Sequence, residues 1–354
     1  MSFEPVDWAL AARVAGRVSR RHGELHRDER SSLDAQFADL TARAEELVEA
    51  ETGLRSLVGP ARAQVVDRVE WSRANVESFR RLLAPITAKL GAQVPSGRGA
   101  MRATRSMAGA EVGVLLGWMS SRVLGQYDLL VVDEQDPASA DVVYYVGNNV
   151  LALEARFGFD PDQFRMWLAL HEVTHRAQFT GVPWMREHFL SLVAEAIGGF
   201  DPDPQRFLAA LRSVSRWQRS QALADGGLLG LLAGDEQRAK LDRISGLMSL
   251  LEGHGDVTMN RAGAAVIPEA ARFARVLGER RKAQPASTRF VQRLLGLEAK
   301  LAQYEQGEQF LAAIESHLGR RAIDECWRGP EHLPTLGEIR DPQRWLDRVA
   351  LLAA

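Results

Sequence analysis

The feature that most constrains this chain is the stretch LALHEVTHRAQF, residues 168–179, which holds His171, Glu172 and His175 in the pattern H-E-x-x-H. Side chains four residues apart lie on the same face of a helix, so both imidazoles can bind one zinc ion. Glu172 directly follows the first histidine, which places its carboxylate where it can take a proton from water at the metal. The pattern therefore predicts a catalytic metal centre. The alternative is a pair of core histidines with separate hydrogen-bond partners.

The segment around the pattern has the start and stop signals of a capped helix. Asp160 can act as the N-cap, Pro161 suits the first helical position, and Gln163 stands where a capping-box partner is expected. Gly181 and Pro183 are expected to end the helix. One inward stripe of this helix then comprises Phe164, Trp167, Leu168, His171, His175 and Phe179. Two imidazoles on an apolar face need partners, and a zinc ion meets that need.

The pattern supplies two ligands, whereas catalytic zinc usually has three protein ligands and one open position. Metzincins take the third ligand from another histidine shortly downstream, and none stands at that spacing here, which excludes that class. Because no cysteine lies nearby, the third ligand is expected to be a carboxylate or another histidine. Three candidates remain, in order of preference Glu252, His254 and Glu195.

Glu252 is preferred because Asp256 follows it by four residues, so the two share one face of the helix predicted over 235–258. In gluzincins, Glu-x-x-x-Asp supplies a metal-binding glutamate and an aspartate that orients a ligand histidine. His254 points away from Glu252 on a regular helix, so the two are not expected to bind one ion. The alternative for this segment is a helix end with solvated polar residues. Glu195 has a spacing familiar from thermolysin-like enzymes, but an ordinary surface glutamate is the favoured interpretation.

Composition and charge limit the classes of partner that the protein is expected to bind. A formal net charge of -2 over 354 residues gives no field to attract nucleic acid or an anionic membrane. Cys326 is the single cysteine, which rules out an intramolecular disulfide and a thiolate zinc cage. The N-terminus lacks the long apolar core of a signal peptide, and the longest apolar runs are too short to span a bilayer. We therefore expect a cytoplasmic protein with Zn²⁺ as its cofactor and a peptide or small amide as its substrate.

The hydrophobic pattern predicts a mainly α fold with one small β-sheet. Apolar residues recur at helical spacing over most of the chain, including 61–90 and 204–223. Two strands, YDLLVVD (127–133) and DVVYYVG (141–147), are expected to pair antiparallel across a polar turn. GAQVPSGRGA (91–100) is a predicted linker. We expect an N-terminal helical region, a catalytic region and a C-terminal helical region, packed as one unit and covering 1–95, 96–282 and 283–354.

Three quoted segments resemble a known family. They are LHEVTHRAQFTGVPWMR, VLGQYD upstream of it and SLLEGHGDVTM downstream. Together they are similar to the zincin-like metallopeptidases of type 2. This family is common in actinobacteria and is often labelled as associated with deazaflavin coenzyme biosynthesis. The resemblance covers most of the chain. It implies a mainly helical, zincin-like core of the gluzincin type with surrounding helices, and a metal-dependent hydrolase. The family's H-E-x-x-H matches His171, Glu172 and His175, and its E-G-H segment matches Glu252 to His254.

The favoured function is a zinc-dependent hydrolase, and within that class a metallopeptidase with Glu172 as the base. One alternative is a zinc amidase that acts on a small metabolite, which predicts a closed pocket instead of an open groove. Another is a binding or scaffold protein that keeps the zincin fold without turnover. The presence of Glu172 argues against the scaffold, because a structural site has no need of a base.

Overall fold

The computed structural model of the chain describes residues 6–20, 25–91, 98–129, 141–198, 235–282 and 297–352. The chain forms two compact units, the first comprising Met1–Gly181 with Ala262–Ala270 and the second Val182–Arg261 with Ala271–Ala354. The division into three regions that the sequence suggested stays a prediction. Among the helices of the described residues, none is both long and apolar enough to cross a membrane.

The first unit is built from six helices and three strands within its described residues. In chain order they are α1 (Trp8–Ser19), α2 (Arg27–Thr52), β1 (Arg62–Val66), α3 (Arg68–Gly91), α4 (Arg98–Ser120), β2 (Gly125–Tyr127), β3 (Val142–Val146), α5 (Gly147–Phe157) and α6 (Pro161–Gly181). The elements that follow are α7 (Met185–Gly198), α8 (Asp235–Gly263), α9 (Ala270–Lys282), α10 (Leu297–Leu318), the 3-10 helices η1 (Ala322–Trp327) and η2 (Pro330–His332), α11 (Leu336–Arg340) and α12 (Pro342–Leu352). A mainly α fold with one small sheet is therefore confirmed.

The sheet has three strands in the order β1-β3-β2. The predicted antiparallel pair is confirmed, since Gly125 pairs with Tyr145 and Tyr127 with Val143. The first strand was predicted over 127–133, but β2 begins two residues earlier and ends at Tyr127. Residues 130–140 lie outside the described part of the chain. Within the described residues, β2 forms one edge of the sheet and follows directly on the turn after α4.

The helix predicted over 61–90 is wrong in its first turn. Residues Arg62–Val66 form strand β1, which runs parallel to β3 and buries two β-branched side chains at its end. A capping box then separates strand from helix, because Asp67 Oδ1 accepts from Glu70 N at 2.7 Å and Glu70 Oε2 accepts from Asp67 N at 2.8 Å. The D-x-x-E signal was present in the sequence, and helical periodicity alone did not separate the two elements.

One further prediction is wrong in part, one helix was not predicted, and one predicted helix is not tested. The predicted linker at 91–100 is wrong at its end, because α4 begins at Arg98, while residues 92–97 lie outside the described part. Helix α5 was not predicted, because the sequence Gly147–Asn149 indicates a polar turn after the strand, whereas the helix begins at Gly147. The helix predicted over 204–223 lies wholly outside the described residues.

A buried ion cluster fixes helix α6 within the first unit. Arg176, on α6, is only 1% exposed and donates through Nε to both carboxylate oxygens of Asp141 at 2.9 Å. Its other nitrogens donate to Glu45 Oε1 at 2.5 Å and to the carbonyl oxygen of Gly59 at 2.6 Å. A buried guanidinium needs such partners on every side. These bonds join α6 to α2 and to the residue that precedes β3.

In the second unit, helices α8 and α10 pack with their backbones in direct approach. A Cβ atom on Gly253 would lie 2.4 Å from the carbonyl carbon of Gly307, and one on Gly307 would lie 2.1 Å from the carbonyl oxygen of Ser249. Leu250 of α8 shares a buried cluster with Phe310 of α10 next to this crossing. The glycine between Glu252 and His254 is therefore a packing requirement of α8.

Gly253→Ala is expected to lower the free energy of unfolding by about 1–3 kcal/mol, because the added methyl group overpacks the crossing with backbone that cannot move aside. Gly278→Ala on α9 is the matched control, since a Cβ there would meet nothing within 4 Å. That change is expected to be neutral or stabilising, as helical glycine is less favourable than alanine. Urea denaturation of both variants measures the difference, and equal midpoints would contradict the close crossing.

Candidate metal centre

His171 and His175 direct the same ring nitrogen toward one point. Their Nε2 atoms lie 3.3 Å apart, and the rings meet edge to face with centroids 4.6 Å apart. Two nitrogens bound to one tetrahedral zinc ion at about 2.0–2.1 Å are themselves about 3.3 Å apart. Both histidines are half-buried. The pair therefore fits a shared metal ion, as the H-E-x-x-H spacing predicted.

Helix α6 positions these rings through its cap and its apolar stripe. Asp160 Oδ1 accepts from Gln163 N at 2.9 Å, as predicted for the N-cap. The predicted capping box is not formed, because the Gln163 amide oxygen accepts from Glu269 N at 3.0 Å. Phe164 is fully buried, and Trp167 is 8% exposed and lies parallel to His171 with ring centroids 6.3 Å apart. The stripe thus fixes the first histidine by packing.

A residue that sequence reasoning missed contacts the second histidine. Gln178 is fully buried on α6, and its Oε1 lies 3.0 Å from His175 Nδ1. The amide oxygen can only accept, so this contact is a hydrogen bond when Nδ1 carries the proton. The spacing of three residues on a buried helical face was the available signal, since a glutamine there needs polar partners.

Glu172 is oriented by the edge strand of the sheet. Its carboxylate is 7% exposed, and Oε2 accepts from the backbone N–H of Tyr127 at 3.0 Å. Asp128 N donates in the opposite direction, to Val142 O of β3 at 3.2 Å, because amides alternate along an antiparallel strand. The outward amide of β2 is therefore directed to the carboxylate.

Gly125 allows the strand to come this close to the carboxylate. A Cβ atom at this position would lie 2.7 Å from both Cγ and Oε1 of Glu172. The hydrogen bond from Tyr127 N and this close approach of the strand hold the Glu172 carboxylate in one orientation.

Tyr145 of β3 and Asn149 in the first turn of α5 have structural roles. Tyr145 is fully buried, burial raises the pKa of its hydroxyl, and that hydroxyl lies 2.8 Å from Thr41 Oγ1. Asn149 accepts from Arg68 Nε at 2.7 Å and donates to the carbonyl oxygen of Ser120 at 2.8 Å. A tyrosine in this position stays neutral at ordinary pH and fixes the sheet against α2.

Helix α8 carries the three downstream residues singled out in the sequence. Glu252 and His254 are each 4% exposed, and Asp256 is half-buried. The helix continues to Gly263, so the alternative of a solvated helix end is wrong. His254 Nε2 lies 3.3 Å from Thr258 Oγ1, and the ring packs edge to face on Trp327 with centroids 5.4 Å apart. His254 is therefore held within the second unit.

Glu195, the last candidate ligand, lies on the exposed face of α7. Its carboxylate is 3.4 Å from the hydroxyl of Ser191, one turn earlier. This environment is that of a surface glutamate. The interpretation favoured from the sequence is consistent with it.

Comparisons with known proteins relate the whole chain to other sequences and structures. The sequence model of a family described as zincin-like metallopeptidase matches residues 6–346. A protein from Chloroflexus aurantiacus, whose crystal structure is described as that of a candidate hydrolase with a novel fold, is similar with a TM-score of 0.71 and 30% sequence identity. That alignment covers 98% of this chain and 99% of the other. No curated protein matches the sequence.

Proposed function

The chain belongs to the zincin-like metallopeptidase family, and on that premise we propose that it is a zinc-dependent hydrolase that cleaves peptide bonds. The observation that carries the proposal is the pair of imidazoles in the first unit, His171 and His175, whose Nε2 atoms lie 3.3 Å apart. We propose Glu252 as the third ligand. Two imidazole nitrogens and one carboxylate oxygen are the donor set of several zinc proteases, and they leave one position open.

The three residues would hold the ion, and Glu172 would handle the proton. When bound, zinc supplies a Lewis acid that activates water and polarises the scissile carbonyl near neutral pH. Glu172 accepts the proton of the attacking water and delivers it to the amine that leaves as the C–N bond breaks. The N–H of Tyr127, 3.0 Å from Glu172 Oε2, orients the carboxylate for that step.

The edge strand supports a peptide as the substrate. β2 lies at an edge of the sheet within the described residues, and an extended peptide can add to such an edge through main-chain hydrogen bonds. A substrate strand there would run past Glu172, the proposed base that takes the proton of the attacking water.

One observation favours the alternative of a small amide substrate. The outward N–H of Tyr127 is already bonded to Glu172, and β2 spans only Gly125–Tyr127. A short strand whose outward donor is in use offers few hydrogen bonds to a peptide. Comparing kcat/KM for blocked peptides of two to eight residues with that for N-acyl amides of small metabolites separates the two. Rates that rise with peptide length support the peptidase, and rates confined to small amides contradict it.

The choice of third ligand has its own test. Glu252→Ala is expected to weaken zinc binding by more than about 100-fold, because it removes a protein ligand. Asp256→Asn is expected to weaken it by about 10–100-fold, because it replaces a charged acceptor for a ligand histidine by a neutral one. His254→Ala is expected to leave the affinity unchanged. Competition with a chromogenic chelator measures the three apo variants, and thermal unfolding controls for folding. Wild-type zinc affinity in Glu252→Ala would contradict Glu252 as the third ligand. His254 and then Glu195 would be the next candidates.

A further inference from the structure

The ring of His175 can bind a metal through Nε2 only if its proton is on Nδ1. The two nitrogens of a neutral imidazole share one proton, and which of them carries it depends on the hydrogen bond that each can make. On His175, Nδ1 lies 3.0 Å from Gln178 Oε1, while Nε2 lies 3.3 Å from the Nε2 of His171. The two nitrogens therefore meet different neighbours.

Resting on the metal site of the proposed function, we infer that Gln178 is a positioning residue that holds His175 in its metal-binding tautomer. The amide oxygen accepts the Nδ1 proton, which leaves the lone pair of Nε2 directed at the point that His171 Nε2 also faces. Gln178 is fully buried, so water does not compete for this bond. Both residues lie on α6, one turn apart, so the helix itself sets the geometry.

The acceptor is neutral, which distinguishes it from the carboxylates that often hold ligand histidines. A neutral partner fixes the ring without adding negative charge near the metal. A glutamate in its place would keep the bond and raise the basicity of the imidazole. Gln178→Glu is therefore expected to bind zinc at least as tightly as the wild type, whereas removal of the acceptor is expected to weaken binding.

The experiment compares Gln178→Leu and Gln178→Glu with the matched control Thr174→Val. Thr174 is a fully buried polar residue on the same helix, and its hydroxyl donates to the carbonyl oxygen of Leu170 at 2.7 Å. Zinc affinity is measured by chelator competition. Long-range ¹H–¹⁵N spectra of the metal-free proteins report which ring nitrogen of His175 carries the proton, with His175→Ala used to assign its signals.

Gln178→Leu is expected to bind zinc about 10–100-fold more weakly than the wild type, and His175 in this variant is expected to lose its Nδ1–H tautomer. Gln178→Glu and Thr174→Val are expected to keep the zinc affinity and the tautomer. Thermal unfolding of the apo proteins shows whether each variant folds, and Gln178→Glu keeps the test valid if Gln178→Leu does not. Wild-type affinity in Gln178→Leu, or an unchanged tautomer, would overturn the inference. A wild type that binds no zinc contradicts the proposed function instead, and the tautomer of the apo variants still decides the role of Gln178.

Discussion

Glu172→Gln is expected to bind one zinc ion per chain with wild-type affinity and to lose hydrolysis by about 10²–10⁴-fold, the usual contribution of a general base. The amide keeps the size of the carboxylate and can still accept from Tyr127 N, which lies 3.0 Å from Glu172 Oε2. What it loses is the basicity needed to take a proton from water. Steady-state kinetics on the substrate found in the peptide and amide comparison, beside a zinc titration, measures both effects.

The matched control for this change is Glu154→Gln. Glu154 is also a buried glutamate of the first unit, at 8% exposure, and its carboxylate pairs with Arg165 at 2.7 Å. The same isosteric change there is expected to leave kcat unaffected. A wild-type rate in Glu172→Gln would remove Glu172 from the role of base.

His171→Ala and His175→Ala are each expected to abolish stoichiometric zinc binding. Each change removes one of two imidazoles whose Nε2 atoms lie 3.3 Å apart, and the loss should exceed the roughly 10–100-fold expected for a neighbouring hydrogen-bond partner. Elemental analysis of the purified variants after dialysis measures the bound metal.

His317→Ala on α10 is the control for these two variants, because His317 is exposed and its Nδ1 lies 3.0 Å from the carbonyl oxygen of Ala313. It is expected to retain one zinc ion per chain. If either motif variant still holds one tightly bound zinc ion, the metal site lies elsewhere in the chain.

The sequence predicted those parts of the molecule that depend on local signals. The cap at Asp160 and the apolar stripe of α6 predicted a helix that the structure confirms, and the spacing of His171 and His175 predicted the convergence of their Nε2 atoms. Enrichment in Val and Tyr predicted β3. In each case the relevant interaction spans a few residues, so a short window of sequence contains all of it.

The sequence did not predict the contact of β2 with Glu172 or the pairing of β1 with β3. Tyr127 and Glu172 are 45 residues apart, and a backbone donor leaves no trace in the side-chain pattern. The helix expected over 61–90 failed because apolar residues at positions 65 and 66 suit either a helix face or a buried strand. Only pairing with β3 decided between the two.

The roles of two glycines likewise depend on contacts with residues far away in the chain. The E-G-H segment marks Gly253 by its resemblance to a family, but the sequence alone does not say why a glycine stands there. The approach of Gly307 within 2.4 Å of a Cβ at that position supplies the reason. Gly125 is similar, since its lack of a side chain matters only because the carboxylate of Glu172 lies against it.

The most direct test of the central claim is X-ray anomalous scattering at the zinc edge from crystals of the wild-type protein, purified with zinc and without chelators. We expect one anomalous peak per chain, about 2.0–2.2 Å from His171 Nε2, His175 Nε2 and a carboxylate oxygen of Glu252. A chain without an anomalous peak at the two imidazoles, or with its zinc bound by other residues, would contradict the assignment of this chain as a zinc-dependent hydrolase acting through His171, Glu172 and His175.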